Sequence, residues 1–216
     1  MENALIERLG RCYTGAVHDV LRLMGHDNVV LPPDIKPVAP ELRVAGPAWT
    51  VDGHLVATAT RDETLRAWCM LLARAPTGHV IVCQPNNREL ALMGELSAQT
   101  LRARGVLGFI VDGGSRDTEL VIEQAFPVFC AFFTPADIVS RWLPDRFGEP
   151  VTIGTVTVST GDWVLGDRDG VVVIPAVIAG DVVARTEEVV ATETEMRRAL
   201  VAGMDPVAAY DKFGKF

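Results

Sequence analysis

The sequence lacks closely spaced cysteines and histidines of the kind that hold zinc. Its four cysteines, Cys12, Cys69, Cys83 and Cys130, stand far apart without a CxxC pair, and each has mostly apolar neighbours. The four histidines are equally scattered, with no HxxxH pair. This distribution argues against a zinc site and predicts that the cysteines are buried free thiols.

Positive charge is also scarce. Lys and Arg total 20 against 28 Asp and Glu, which gives a formal net charge of −8, and no segment is rich in lysine or arginine. Nucleic acids and anionic membrane surfaces attract basic proteins. We therefore expect no nucleic acid and no membrane among the partners of this protein.

Long apolar runs are absent as well. The longest, residues 106–111 and 170–180, fall short of the roughly 18 residues that a membrane-spanning helix needs, and the first residues carry acid where a secretory leader would be basic. These features predict a cytoplasmic protein. The 216 residues, 49% hydrophobic and 22% charged, suffice for a single compact domain over residues 1–216.

The middle third alternates strand-like and helix-like patterns. Apolar strands are predicted at residues 79–83, 106–111 and 128–133, with helices at 89–104 and 117–124 between them. Such a βαβαβ unit forms a parallel sheet that binds ligands beyond the carboxyl ends of its strands. Those ends are residues 84–87 and 112–117.

The flanking regions predict further elements of an α/β fold. Spacing of apolar residues favours two short helices within residues 3–24, a helix at 62–74 and a long helix at 179–201. Short strands separated by turns are predicted at 151–153, 155–158, 163–165 and 171–174. The late strands should pair antiparallel, with Asp169-Gly170 in a hairpin.

One candidate site is the loop that follows the central strand, Asp112-Gly113-Gly114-Ser115-Arg116-Asp117. Its two glycines permit close approach to a ligand, and Arg116 and Asp117 place a planar cation beside a hard oxygen anion. This pair suits an anionic substrate held on a divalent metal. The alternative is a tight turn in which Asp117 caps a helix and Arg116 is solvated.

A second candidate is Gly94-Glu95-Leu96-Ser97. If the helix begins at Gly94, its free amides form an anion site with the Glu95 carboxylate beside it. The alternative is an ordinary acid in the first turn of a helix, interacting with the helix dipole.

The two segments together form a motif: an acidic residue, twenty further residues and then Arg-Asp. This motif resembles one that marks the aldolases of the RraA-like family, which cleave 4-hydroxy-4-methyl-2-oxoglutarate and 4-carboxy-4-hydroxy-2-oxoadipate. These aldolases are related in fold to the regulator of ribonuclease E activity. Glu95, Arg116 and Asp117 carry the match. Four further segments are similar to that family: residues 14–21, 46–48, 105–114 and 169–175.

The resemblance implies an α/β fold, a single-domain αββα sandwich of the phosphohistidine swivelling-domain type with the βαβαβ unit at its centre and a late antiparallel section. It also implies a class II pyruvate aldolase that uses Mg²⁺ or Mn²⁺, cleaves a 4-hydroxy-2-oxo acid to pyruvate and a second carbonyl product, and decarboxylates oxaloacetate. The small-molecule partner would be a 2-keto acid.

Residue roles follow from the same resemblance. Asp117 would bind the metal, Arg116 the keto or enolate oxygen, and the amides of Gly94, Glu95, Leu96 and Ser97 the substrate carboxylate. Glu95 would orient or deprotonate the water that acts as base.

The resemblance extends to assembly. Family members form trimers or hexamers in which the last long helix brings a glutamate to a neighbouring site, matched here best by Glu193 and next by Glu195. A homotrimer or homohexamer is therefore expected.

Two features limit the substrate prediction. Ala136 stands where the aldolases often carry arginine, and Cys130-Ala131-Phe132 replaces Ala-Arg-Gly. Fewer cations favour a less anionic or smaller second product, although Arg141 could compensate. A rival hypothesis is a non-catalytic regulator of a ribonuclease or another protein on the same scaffold; Glu95 favours the enzyme, because the regulators typically lack this acid.

Overall fold

A computed structural model describes residues 2–214 of the chain. Its helices are α1 (Glu2–Arg11), α2 (Thr14–Leu23), α3 (Arg61–Arg74), α4 (Glu95–Ala103), α5 (Thr118–Glu123), α6 (Ala179–Val201) and α7 (Pro206–Phe213), with a 3₁₀ helix at Ala176–Ile178. Its strands are β1 (Lys36–Pro37), β2 (Val44–Leu55), β3 (Val80–Gln84), β4 (Ala91–Met93), β5 (Gly108–Ser115), β6 (Val128–Phe133), β7 (Trp142–Phe147), β8 (Val151–Ile153), β9 (Val156–Val158), β10 (Trp163–Asp167) and β11 (Gly170–Ile174).

The central part is a parallel sheet, as predicted. Strand β3 pairs with β2 on one side and β5 on the other, and β5 pairs with β6, all in parallel register. The connections from β3 to β5 and from β5 to β6 contain α4 and α5. The predicted βαβαβ unit is therefore confirmed, and it places the carboxyl ends of β3 and β5 at the same edge.

Additional strands curl this sheet into a nearly closed barrel. Its strand order is β1-β6-β5-β3-β2-β10-β11, with β4 on β5 and β7 on β2. The terminal strands β1 and β11 lie close together. Lys36 of β1 donates a hydrogen bond of 2.5 Å to the carbonyl oxygen of Asp169, in the turn between β10 and β11. The α/β class is confirmed, and so is the late antiparallel hairpin, in which Asp167 opposes Gly170.

Apolar side chains fill the barrel and both of its helical coverings. Val82, Ile110 and Phe129 belong to a cluster within the sheet, and all three are fully buried. A second cluster lies between the sheet and α3, α4 and α5, and a third between β10, β11 and α1, α2 and α6. The edge formed by the carboxyl ends of the parallel strands is therefore supported by a packed core.

A buried carboxylate ties the N-terminal helices to the late hairpin. Asp167 accepts hydrogen bonds from the Thr14 amide at 2.9 Å and the Thr14 hydroxyl at 2.7 Å. It also accepts one from the Asp169 amide at 3.0 Å. The first turn of α2 is therefore capped by a residue distant in the sequence.

Three local predictions were wrong. The predicted helix at 89–104 is a strand and a helix, because β4 pairs with β5 and Gly94 is extended (φ −147°) before α4 begins. The predicted loop at 112–117 is mostly strand, since β5 continues to Ser115. The sequence predicts only a short tail at residues 206–216, but Pro206–Phe213 form α7, whose first turn is capped by Asp205.

The cysteine prediction was correct for three of the four residues. Cys12, Cys83 and Cys130 are buried free thiols, whereas Cys69 is exposed on α3. Burial raises the pKa of the Cys130 thiol to about 12 and also raises that of Cys83. No helix in the described part of the chain is long and apolar enough to cross a membrane.

Candidate active site

Strand β4 brings the two predicted site segments together. It lies parallel to the end of β5, with Ala91 opposite Gly114 and Met93 opposite Ser115. The Arg116 amide also donates to the Met93 carbonyl at 2.8 Å. The residues that follow these two strands therefore emerge side by side, although Glu95 and Arg116 are distant in the sequence.

The N-terminus of α4 faces Asp117. Gly94 is the N-cap of α4 and has no side chain to cap the first-turn amides, so those amides remain directed out of the helix. One of them, the Glu95 amide, donates to Asp117 Oδ2 at 3.3 Å. A Cβ at Gly94 would lie 2.7 Å from that same oxygen and 3.2 Å from Arg116 Cγ. Close approach, rather than backbone angle, requires glycine here.

Asp117 occupies the N-cap position of α5 without capping it. Its backbone is left-handed (φ 52°, ψ 37°), and its side chain accepts no capping hydrogen bond from α5. This conformation is strained for a residue with a side chain. It turns the carboxylate toward α4, and 39% of the side chain remains exposed. Asp117 is a cap by position only, and its carboxylate is accessible to a ligand.

Arg116 lies between two carboxylates. Its Nη1 donates to Asp137 Oδ2 at 3.0 Å, and its Nε lies 3.5 Å from Asp117 Oδ2. Asp137 was missed as a site residue. A signal was available in the sequence, because the aldolases that this chain resembles often carry Ser/Thr-Pro-Arg-Asp where it has Thr134-Pro135-Ala136-Asp137, and the aspartate is therefore retained. These contacts hold the guanidinium plane in place beside the α4 N-terminus.

The predicted residues line one cavity of about 370 Å³. Gly94, Glu95, Leu96, Ser97, Arg116 and Asp117 all contribute to its surface. The cavity thus combines an uncapped helix N-terminus, a guanidinium and several carboxylates. Such a surface can bind an anion at the helix and a cation at the carboxylates. A larger cavity of about 440 Å³ beside His26 and Asp27 contains none of these residues.

The carboxylates of the cavity fit a hard divalent cation that takes most of its ligands from substrate and water. Within residues 2–214, no group of three or more His, Cys, Asp or Glu side chains could hold a metal ion. Mg²⁺ is commonly bound through one or two carboxylates, with water and substrate oxygens completing its coordination. An accessible Asp117 carboxylate beside a helix N-terminus that can bind an anionic substrate matches that mode.

Glu193 lies outside this cavity. It is on α6, where it accepts a hydrogen bond from the Tyr13 hydroxyl and borders a separate surface cavity with Arg197. Partial burial and the bond to Glu193 raise the pKa of Tyr13 to about 12. Within one chain, the structure does not bring Glu193 to Glu95, Arg116 and Asp117, so its role at a neighbouring site stays a prediction.

Most of this chain is similar in sequence to known proteins. A family model described as RraA-like, Aldolase/RraA, matches residues 14–173. A Halalkalibacterium halodurans protein named "Putative 4-hydroxy-4-methyl-2-oxoglutarate aldolase" is 28% identical over 82% of this chain and 80% of its own length. Protein DlpA of Legionella pneumophila is 26% identical over 92% of this chain, which spans about a third (32%) of that longer protein.

One solved structure extends the comparison to the regulators. Streptomyces coelicolor RraAS2, described as an unusual member of the RNase ES inhibitor RraA protein family, superposes with a TM-score of 0.79 at 26% identity. The match covers 91% of this chain and 97% of that one.

Proposed function

We propose, from the premise that this chain belongs to the RraA-like family of aldolases and RraA proteins, that it is a divalent-metal-dependent carbon–carbon lyase. It would act as a class II pyruvate aldolase on a 4-hydroxy-2-oxo acid and would also decarboxylate oxaloacetate. The observation that carries the proposal is the placement of Arg116 and Asp117 against the uncapped N-terminus of α4 in one cavity.

Binding of the substrate would begin at the helix end. The first-turn amides of α4 at Leu96 and Ser97 are suited to the substrate carboxylate, because a helix N-terminus stabilises anions. The 2-keto oxygen would then face Arg116, whose guanidinium is held by Asp137. Arg116 stabilises that oxygen most when it becomes an enolate, and this preference lowers the barrier to bond cleavage.

Asp117 would hold Mg²⁺ or Mn²⁺, with the substrate and water supplying the other ligands. When bound, the metal withdraws electron density from the 2-keto group as a Lewis acid. The Glu95 amide fixes Asp117 Oδ2 on the side facing α4. Gly94 leaves the space that the Asp117 carboxylate occupies.

Glu95 would move the proton. In aldol cleavage the C4 hydroxyl loses its proton to Glu95 through an ordered water, the C3–C4 bond breaks, and its electron pair forms the pyruvate enolate. Protonation of C3 completes pyruvate. In oxaloacetate the same bond breaks with loss of CO₂ and gives the same enolate. No lysine lines the cavity among the described residues, so no Schiff base is part of this mechanism.

A pyruvate-release assay tests this function. We expect pyruvate from oxaloacetate and from at least one 4-hydroxy-2-oxo acid in the presence of Mg²⁺ or Mn²⁺, and loss of both activities in EDTA with recovery on adding metal. Full activity in metal-free enzyme, or a lysine adduct trapped with borohydride, would contradict the proposal. The active form would be a cytoplasmic homotrimer or homohexamer.

The second candidate function is a non-catalytic regulator of a ribonuclease or another protein. The superposition with RraAS2 over 91% of the chain favours it. This alternative predicts that no substrate in the panel releases pyruvate with any metal, and that Glu95→Gln leaves partner binding unchanged.

A further inference from the structure

One wall of the active-site cavity is apolar. It is formed by one face of α3 and by the exposed side of α4, through the residues Leu65, Trp68, Cys69, Leu72 and Leu96. Helix α3 begins at a capping box of Thr60 and Glu63, which fixes where its apolar face starts. The mechanism proposed above gives no role to the side chains of this wall, because it uses the main-chain amides of α4 and the side chains of Glu95, Arg116 and Asp117.

Trp68 anchors this wall, and its polar atom has a hydrogen-bond partner. Trp68 is buried, and its indole N–H donates to Ser97 Oγ at 2.9 Å. Its ring meets Phe109 and Trp142 edge to face, with centroids 6.5 and 6.1 Å apart. The indole therefore presents hydrocarbon to the cavity in a fixed orientation.

Leu96 shows that this surface has room to bury apolar atoms. Its side chain lines the cavity and is 72% exposed, in contrast to the fully buried Ala98 two residues later. A ligand group that covered Leu96 would remove apolar area from water, which favours an aliphatic group there.

The charges of the cavity oppose a second anionic group on the substrate. Arg116 is the one basic side chain among its described lining residues, and it already contacts Asp117 and Asp137. Glu95 adds a third carboxylate. Arg141, which could have compensated for the alanine at position 136, donates instead to the Asp137 main-chain oxygen at 2.6 Å and does not line the cavity. A carboxylate at C4 of the substrate would meet acids and hydrocarbon.

We propose that the α3 and Leu96 wall receives the C4 substituent and selects 2-keto acids in which that substituent is an uncharged aliphatic group over those in which it is a carboxylate. The inference rests on the proposed function, because it assumes that the carboxylate and keto oxygens of the substrate occupy the α4 and Arg116 side. With such a substrate, the second product of cleavage is an aliphatic aldehyde or ketone and not a keto acid.

Two substrates of nearly equal size provide the test. 4-Hydroxy-5-methyl-2-oxohexanoate carries an isopropyl group at C4, and 4-hydroxy-2-oxoglutarate carries a carboxylate there. We expect kcat/KM for the isopropyl substrate to be at least tenfold higher. Equal values, or a preference for the carboxylate, would overturn the proposal.

A pair of variants locates the selectivity. Cys69→Arg puts a cation on the wall at an exposed position, so it should lower the isopropyl-to-carboxylate ratio at least tenfold. Met70→Arg adds the same charge one residue away, on an exposed side chain that does not line the cavity, and should leave the ratio unchanged. Equal shifts in the two variants would show that net charge, and not the wall, sets the preference.

Failure of the wall and failure of the proposed function give different results. Exchange of the pyruvate methyl protons in D₂O, followed by NMR, reports enolate formation without any C4 group. Exchange with equal kcat/KM for the two substrates overturns the wall alone. If neither exchange nor turnover occurs, the proposed function is wrong. The selectivity of the wall is then tested by calorimetric binding of two non-cleavable acids, 5-methyl-2-oxohexanoate and 2-oxoglutarate. Tighter binding of 5-methyl-2-oxohexanoate supports the selectivity, and equal or weaker binding overturns it.

Discussion

The backbone N–H of Glu95 donates to Asp117 Oδ2 across 3.3 Å. This contact joins the first residue of α4 to the residue before α5, two segments that are separated by 22 positions in the chain. It links the N-terminus of α4, the proposed anion site, to Asp117, the proposed metal ligand.

Asp117 and Arg116 should have separable roles. Asp117→Asn should abolish both Mg²⁺ binding and turnover, because the amide oxygen is a poorer ligand for a hard cation. Arg116→Ala should leave Mg²⁺ binding largely intact and lower kcat by roughly 10²- to 10³-fold, as for loss of a group that stabilises an oxyanion. Calorimetric Mg²⁺ titration and steady-state kinetics measure both effects. Equal loss of metal affinity in the two variants would mean that the roles are wrongly assigned.

Glu95→Gln should preserve folding and the binding of pyruvate analogues but slow aldol cleavage by roughly 10²- to 10⁴-fold, the usual span for a general base or its orienting group. Glu119→Gln is the matched control, since it removes an exposed acid from the adjacent helix α5 without touching the cavity. A wild-type rate in Glu95→Gln would reduce Glu95 to an ordinary acid of a first helical turn.

Gly94→Ala tests the close approach at the site. The added Cβ would lie 2.7 Å from Asp117 Oδ2 and would displace that carboxylate, so Mg²⁺ affinity and kcat should both fall while the circular dichroism spectrum stays unchanged. Gly180→Ala is the control, because a Cβ there meets no atom within 4 Å. Unchanged metal affinity in Gly94→Ala would show that Asp117 does not need this position.

Asp167→Ala should destabilise the fold without altering the chemistry. It removes the acceptor of two hydrogen bonds from Thr14 and one from Asp169 in a buried setting, and it should cost roughly 2–3 kcal/mol of unfolding free energy. Urea unfolding measures this loss. Asp211→Ala, at an exposed position of α7, should change the midpoint little. A wild-type midpoint for Asp167→Ala would contradict the anchoring role.

Glu193 tests the link between assembly and activity. If α6 brings Glu193 to the site of a neighbouring chain, Glu193→Ala should lower activity by roughly 10- to 100-fold, as for loss of a carboxylate that positions metal-bound water. Light scattering should give a trimer or hexamer. Tyr13→Phe separates this role from the Tyr13 contact within the chain, because it removes the phenol but keeps Glu193. A fully active monomer would exclude a shared site.

The sequence by itself predicted many of the regular elements and the two segments that meet in the candidate site. Strands β6 and β8 and helix α6 have the predicted bounds, because hydrophobic periodicity reports directly which side of a strand or helix is buried. The pairing of Glu95 with Arg116-Asp117 came from the resemblance to the RraA-like family. The strand pattern placed residues 112–117 at the carboxyl edge of the parallel sheet, but it placed Glu95 within a helix.

Only the tertiary structure decided the features that depend on contacts between distant segments. Leu92 and Met93, within the predicted helix at 89–104, are instead buried in β4, which pairs with the end of β5. Asp137 joins the site through Arg116, and Cys69 faces the cavity instead of the core. The local sequence shows whether a side chain is apolar or charged. Which residue it contacts depends on how distant segments pack together, and a local sequence pattern does not contain that information.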